Sequence, residues 1–357
     1  MKKIIKSIII TILIAAVLAV GALAAGLHYL TKNEYIPKDT ESINVTGESS
    51  AKIMPGDTIK VMTYNIAYCA MGKDHSDYLD GGSDNSPANV EEITDHLTKI
   101  TKLCTDRAAN VNFFQQVDIH SDRSCLIDQH MLLSNGLSER TYAFAPDLSC
   151  VYVPMPIGKS TGQVVSGLMT VTQCSVDEAA RIALPNELSS PASAWSRKPC
   201  MLTEHIKLGD SGKELVLINT NFEEYDDGSI RESSYKALCE YMQKEYAHGN
   251  YVIAAGGFNA QLPSVPHDKY EDSSDDNFTP LELSTEILTG GWKYCTDASA
   301  PTVRRLNSGS DTAEYSADGF ITSPNTLVDN IETIDTDFRF SNHNPVICDV
   351  TLVYLDK

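Results

Sequence analysis

The sequence predicts an α/β fold, a layered sandwich of mixed β-sheets covered by helices. Three observations carry that expectation. Short apolar runs of strand length recur from Gly56 onward. They outnumber the segments with helical spacing, and several follow one another with no helix between. A doubly wound parallel sheet would instead alternate strand and helix. The chain has 357 residues, 42% hydrophobic and 21% charged. That is enough for a sizeable core and too ordinary for a coiled coil, a collagen or a disordered chain.

The first element lies outside the sandwich. Ser7 to Leu27 carries no charge, is rich in Ile, Leu, Val and Ala, and follows Lys2, Lys3 and Lys6. At 1.5 Å per residue it reaches about 30 Å, the hydrocarbon thickness of a bilayer. Residues 1–27 therefore read as a transmembrane signal-anchor. The leading lysines keep the N-terminus cytoplasmic, which makes the protein single-pass in the cell membrane with its domain extracytoplasmic. The alternative is cleavage at the small-residue pattern Ala22-Leu23-Ala24, which would release a secreted domain. Residues 28–55 are polar and aperiodic and read as a tether. Residues 56–357 read as the domain.

Within it, Ile59 to Tyr64 is an expected strand. Val90, Ile93, Leu97, Ile100 and Leu103 recur at helical spacing and predict a helix over 89–104. Strands are expected at 111–117, 168–171, 215–218 and 252–255, and a helix over 231–246 with Gly249 as its stop. Phe320 to Thr322 and Val346 to Val353 complete the set.

Charge and cysteine usage exclude some functions. With 28 Lys+Arg against 48 Asp+Glu the formal net charge is −20. Such a surface repels polyanions, so nucleic acid is not an expected partner. The nine cysteines are odd in number, scattered and free of any CxxC pair. They fit buried small hydrophobes better than a zinc ribbon or a disulfide framework.

Polar residues stand at the strand ends. Asn65 closes the first strand, Gln116 and Asp118 the second, and Asn219 and Asn221 the strand from Leu215. Asn259 follows Gly256-Gly257-Phe258, Asp318 opens the next strand group, and Asn342-His343-Asn344-Pro345 precedes the last. Such clusters at successive strand ends build a cleft along one sheet edge.

Taken in order, seven segments resemble the motif series of the endonuclease/exonuclease/phosphatase superfamily. They are Thr63-Tyr64-Asn65-Ile66, Gln115-Gln116-Val117-Asp118, Ser166-Gly167-Leu168, Asn219-Thr220-Asn221, Gly256-Gly257-Phe258-Asn259, Asp318-Gly319-Phe320 and Ser341-Asn342-His343-Asn344-Pro345. The resemblance covers about residues 57–353 and is greatest to a membrane-anchored bacterial branch. Arg123-Ser124, Tyr152-Val153-Pro154, Ile157-Gly158-Lys159 and Tyr225-Asp226-Asp227-Gly228 also resemble that branch.

The resemblance implies a four-layer sandwich of two mixed sheets flanked by helices. It also implies Mg²⁺- or Mn²⁺-dependent cleavage of phosphoesters. In the family the metal sits on the Glu of a QEVD motif and the Asp of an SDH motif. The Asp of GDFN activates water, its Asn neighbour holds the phosphate, and a strand-opening Asp supports the His of SDH. The His of NxH serves the leaving-group side. Here Gln116 replaces that Glu, Asn221 the His of NxH, Gly257 the Asp of GDFN and Asn342 the Asp of SDH. Asn65, Asn259, Asp318 and His343 keep the pattern.

The metal site at Gln116 and Asn342 is thus expected to be vestigial. No cofactor is expected, and Mg²⁺ or Mn²⁺ is needed only if Asp118, Glu223, Glu224 or Asp318 substitute as ligands. Loss of a general base alone costs roughly 10²–10⁴ in rate. The expected function is a membrane-anchored pseudoenzyme that binds a phosphate-containing or protein ligand. The alternative is a weakly active Mg²⁺-dependent phosphodiesterase for a small or lipid phosphodiester. Arg123, Lys159, Arg197 and Arg231 are candidates to meet an anionic small molecule.

Overall fold

A computed structural model of the chain describes residues 2–73, 75, 89–155, 160–186, 188–224, 227–266, 269, 281–306 and 312–354. Helix α1 (Lys2–Lys32) is followed by β1 (Thr40–Ser42), β2 (Thr46–Gly47), β3 (Thr58–Asn65), α2 (Val90–Arg107), β4 (Val111–Asp118) and α3 (Gln129–Gly136). Next come β5 (Thr141–Val153), β6 (Gly162–Thr172), β7 (Glu178–Ala183), β8 (Cys200–Lys207), β9 (Glu214–Asn221) and α4 (Ser229–Ala247). The chain closes with β10 (Tyr251–Gly257), β11 (Lys293–Cys295), β12 (Val303–Leu306), β13 (Thr312–Tyr315), β14 (Asp318–Thr322), β15 (Thr326–Thr333) and β16 (Val346–Leu352).

Two seven-stranded mixed sheets face each other, in the orders β1-β7-β8-β9-β10-β14-β11 and β15-β16-β3-β4-β6-β5-β2, with β12-β13 as a separate hairpin. The sandwich follows from strands that bury both faces. On β3, Val61 points between the sheets with Phe113, Leu217, Ile253 and Phe320. Its neighbours Met62 and Tyr64 point outward against Ile93, Leu97 and Ile100 of α2 and Leu133 of α3. On the other sheet Val216, Ile218 and Val252 pack outward against Tyr235, Leu238 and Met242 of α4. The layers are therefore helix, sheet, sheet, helix, the α/β sandwich expected. This double burial is why these strands read as continuous apolar runs rather than alternating ones.

Local chemistry sets the helix ends. The Asn89 side chain accepts from Glu92 N at the start of α2, and Ala108 closes that helix in the left-handed region at φ 52°. Asp128 caps α3 in the same way, through Met131 N. All nine cysteines are free thiols, and eight of them are buried.

The expected strands and both expected domain helices are present, with boundaries moved by up to a few residues. Sequence reading missed β5, most of β6, β7, β8, β11, β12, β13, β15 and α3. The segment 28–55, expected to be a tether, begins inside α1 and then adds one short strand to the edge of each sheet. β1 pairs with β7 and β2 with β5.

One buried group makes the core sensitive to pH. Glu204 is fully buried on β8 between Leu202 and Ile206, which belong to the inter-sheet core, and neither carboxyl oxygen has a hydrogen-bond partner. Burial pushes its pKa up from 4.5 to about 8. The folded state thus holds a proton that the unfolded chain releases. The stabilising contribution is complete below pH 4.5 and is lost as pH rises through about 8. The slope in that window is at most about 1.4 kcal/mol per pH unit. Glu204→Gln is expected to flatten the dependence of the urea midpoint on pH across this window, measured in detergent. An unchanged slope would show that Glu204 is already ionised in the native core.

Candidate functional site

The parallel strands of both sheets end at one edge of the sandwich. β3 and β4 bring Asn65, Gln116 and Asp118 to it, and β9 and β10 bring Asn221 and Gly257. Antiparallel β14 starts there, with Asp318 opposite Gly257, which in turn lies opposite Asn221. Asn221, Gly257 and Asp318 therefore stand side by side on three adjacent strands. The loop before β16 adds Asn342 and His343.

Just beneath this edge the sheets are stitched together. Gln115 Nε2 donates to Asn219 Oδ1 at 2.7 Å, and Asn219 Nδ2 donates to the carbonyls of Phe114 (3.0 Å) and Met169 (3.1 Å). Beside Gln115 the β4–β6 register slips between Phe114 and Val117. At this bulge Gln116 takes φ 54° and comes to lie half-buried at the edge.

The expected Asp–His pair is formed. His343 Nδ1 lies 2.8 Å from Asp318 Oδ2, and both side chains are buried. Thr302 Oγ1 accepts from Asp318 N (3.0 Å), and Ser341 Oγ accepts from His343 N (3.1 Å). Asp318 Oδ1, Asn342 Oδ1 and both amide atoms of Asn221 are buried without a partner. A Cβ at Gly257 would sit 2.8 Å from Asn221 Oδ1 and 3.2 Å from Asp318 Oδ1. The position is thus closely packed: without a side chain at Gly257, the Asn221 amide and the Asp318 carboxylate close over it.

The two retained asparagines hold backbone. Asn65 Oδ1 accepts from Ala67 N (3.0 Å), while the Asn65 carbonyl accepts from Ser341 Oγ (2.7 Å). Asn259, at φ 46°, donates from Nδ2 to the Phe222 carbonyl (2.8 Å).

Asp118 is committed elsewhere. Arg123 Nε and Nη2 donate to its two oxygens at 2.9 and 2.8 Å, and Ser124 Oγ adds a third bond at 3.0 Å. The Arg123 guanidinium also stacks 3.8 Å over the Tyr68 ring. Its burial opposes the charge, but Asp118 outweighs that and holds the arginine pKa above its ordinary value.

Arg197 bonds Asp147 Oδ2 at 2.7 Å and the carbonyls of Asn221 (2.7 Å) and Phe222 (3.2 Å). Arg231 Nη1 donates to the Asn259 carbonyl at 2.7 Å. These three arginines thus brace the site from behind rather than lying on solvated surface. Lys159 lies outside the described residues, as do the rest of Ile157-Gly158-Lys159 and Tyr225 and Asp226. Sequence reasoning missed Asp147, Gln129 (whose Oε1 accepts from Asp118 N) and the stitching role of Gln115 and Asn219.

A divalent cation needs several hard anionic oxygens. Glu223 lies 4.0 Å from Arg197. The unpaired oxygens at this edge are one carboxylate oxygen of Asp318 and the neutral amide oxygens of Asn221 and Asn342. No group of three or more His, Cys, Asp or Glu side chains able to hold a metal occurs among the described residues. This donor set does not fit Mg²⁺ or Mn²⁺.

No protein-family model matches the chain, and no curated protein matches it in sequence. Solved structures match it in fold. An endonuclease/exonuclease/phosphatase from Beutenbergia cavernae is 16% identical over 83% of this chain and 72% of its own, with a TM-score of 0.53. One from Bacteroides vulgatus is 16% identical over 83% of this chain and 99% of its own, at 0.51. The human Nocturnin catalytic domain, with bound sulfate, is 14% identical over 87% and 98%, at 0.51. The fold is thus that of the endonuclease/exonuclease/phosphatase proteins.

The Asp118–Arg123 pair yields a direct test. Asp118→Ala leaves a guanidinium that is largely out of water without its carboxylate, and is expected to cost about 3 kcal/mol of stability. Thermal unfolding with and without Mg²⁺ checks it. A loss that appears only when Mg²⁺ is present would make Asp118 a metal ligand instead.

Proposed function

We propose that this protein is a membrane-anchored binding module on a phosphoesterase fold whose catalytic centre is replaced. Its ligand is a phosphate-type anion taken up beside Asp318 and His343. Three supports come together. Helix α1 is long and apolar enough to cross a membrane. The positions that would carry metal and base hold Gln116, Asn342 and Gly257, and the nearby Asp118 is consumed by Arg123. The observation that carries the reading is the set of buried, unpaired polar atoms at this edge: Asn221 Nδ2 and Oδ1, Asn342 Oδ1 and Asp318 Oδ1. Such atoms are costly to leave unpaired; Asn221 Nδ2 can donate to a phosphate oxygen, and the P–OH of a protonated phosphate can donate to the unpaired oxygens.

Chemically, the Asn221 amide donates from Nδ2, and a protonated His343 donates more strongly than a neutral one. Asp318 orients the imidazole through Nδ1. Replacing carboxylates by amides lowers the negative charge that would repel an anion. The Nocturnin domain, which shares the fold, was solved with a bound sulfate, which supports a tetrahedral anion on this architecture. The donor set does not suit a metal, and Gly257 has no side chain to activate water, so turnover is expected to be absent or greatly slowed.

NMR of the His343 ring during titration with inorganic phosphate tests the reading. Phosphate is expected to shift the His343 signals, and to bind more tightly at mildly acidic than at mildly alkaline pH. Asp318→Asn should weaken that binding several-fold. A ring signal that phosphate leaves unmoved, with robust Mg²⁺-dependent hydrolysis of bis-p-nitrophenyl phosphate, would favour the phosphodiesterase alternative.

A further inference from the structure

The sheet register determines the end of the domain from which α1 departs. Thr40 of β1 lies opposite Ile182 of β7, Ala183 of β7 opposite Cys200 of β8, and Met201 of β8 opposite Thr220 of β9. Thr220 precedes Asn221, so the chain before Thr40 emerges at the edge that carries Asn221, Gly257 and Asp318. Residues 33–39 are all that separates α1 from β1. Fully extended, such a segment reaches about 25 Å at most.

Side chains hold the exit close. Leu30, in the last turn of α1, is buried. Lys198 Nζ donates to Glu34 Oε1 at 2.7 Å and to the Ser193 carbonyl at 2.8 Å. The preceding residue, Arg197, donates to the Asn221 carbonyl. Two consecutive residues therefore hold the segment just after the apolar helix and the back of the candidate site.

On the same edge β5 and β6 run on past the site. Asp118 lies opposite Ser166, Ser166 opposite Leu148, and the pairing continues to Val153 and Gly162. Val151 and Tyr152, in this projecting part, and Met155 just after it are 40%, 45% and 42% exposed. These exposed apolar side chains lie within five residues of one another, on the edge from which a membrane-length helix departs.

We propose that the bilayer covers them: the domain rests on the membrane crossed by α1, with the site edge toward the lipid and the opposite edge toward water. This rests on the anchoring part of the reading above and not on its anion-binding part. Lipid is the occupant because the exit of α1 and the apolar projection share one edge. Tyr, with an apolar ring and a polar tip, suits the headgroup boundary.

The test uses the full chain in phosphatidylcholine vesicles with brominated acyl chains, which quench tryptophan near the hydrocarbon. Tyr152→Trp is compared with Leu327→Trp, an exposed position opposite Thr351 at the far end of β16. Native Trp195 and Trp292 set the wild-type baseline, and Met155→Trp repeats the measurement should Tyr152→Trp misfold. The added emission of Tyr152→Trp is expected to be largely lost in brominated vesicles, while that of Leu327→Trp is unchanged. Vesicle flotation reads anchoring separately. Protein that floats while Tyr152→Trp stays unquenched, or while Leu327→Trp is quenched instead, overturns the orientation alone. Protein that fails to float overturns both the anchor and the orientation.

Discussion

The arrangement of the site depends on one buried amide contact, that of Gln115 with Asn219. Packing between two apolar sheet faces is non-directional and would tolerate small sliding. An amide pair in that interior does not, because each unpaired donor or acceptor would be costly. Gln115 and Asn219 pair with each other, and Asn219 also reaches the carbonyls of β4 and β6. The stitch lies one residue from Gln116 and two from Asn221. It thereby fixes the strand ends of one sheet relative to those of the other, and with them the spacing across the edge.

Within the motif-like segments, the residues that match the family pattern are largely those the fold itself uses. Gln115 and Asn219 join the sheets. Gly256, at φ 143°, sits where a side chain would strike the Thr220 carbonyl. Ser341 holds the Asn65 carbonyl, and Asp118 anchors Arg123. By contrast Asn221 and Asn342, which depart from the pattern, keep side-chain atoms that nothing in the described fold satisfies. Losing a residue of the first kind costs stability; losing one of the second kind costs only chemistry. Asp318 belongs to both groups, since it ties β14 to the loop before β16 through His343 and also keeps one oxygen without a partner.

Much of this was legible in the sequence, for physical reasons. β3, β4, β9, β10 and β16 bury both faces, so they stand out as apolar runs. α2 shows its spacing because only one stripe is buried. β5 did not stand out: Pro146 and Asp147 interrupt it, and its middle alternates between buried and half-exposed residues. β1 and β2 are three and two residues long, and they exist only because β7 and β5 offer partners. The strand ends that carry the motif-like residues were readable from motif order. The commitments of Arg197 to Asp147 and Lys198 to Glu34 were not, because each joins elements far apart in the chain whose approach no local pattern encodes.

The central claim is that the strand-end edge has lost the charge needed to hold a catalytic metal. Calorimetric titration of the intact protein with Mg²⁺ and Mn²⁺ tests it most directly. The account predicts millimolar or weaker affinity for both ions, unchanged by Asn342→Ala. Micromolar binding of either ion that is abolished by Asp318→Asn would contradict it and return the site to the metal-dependent phosphoesterases.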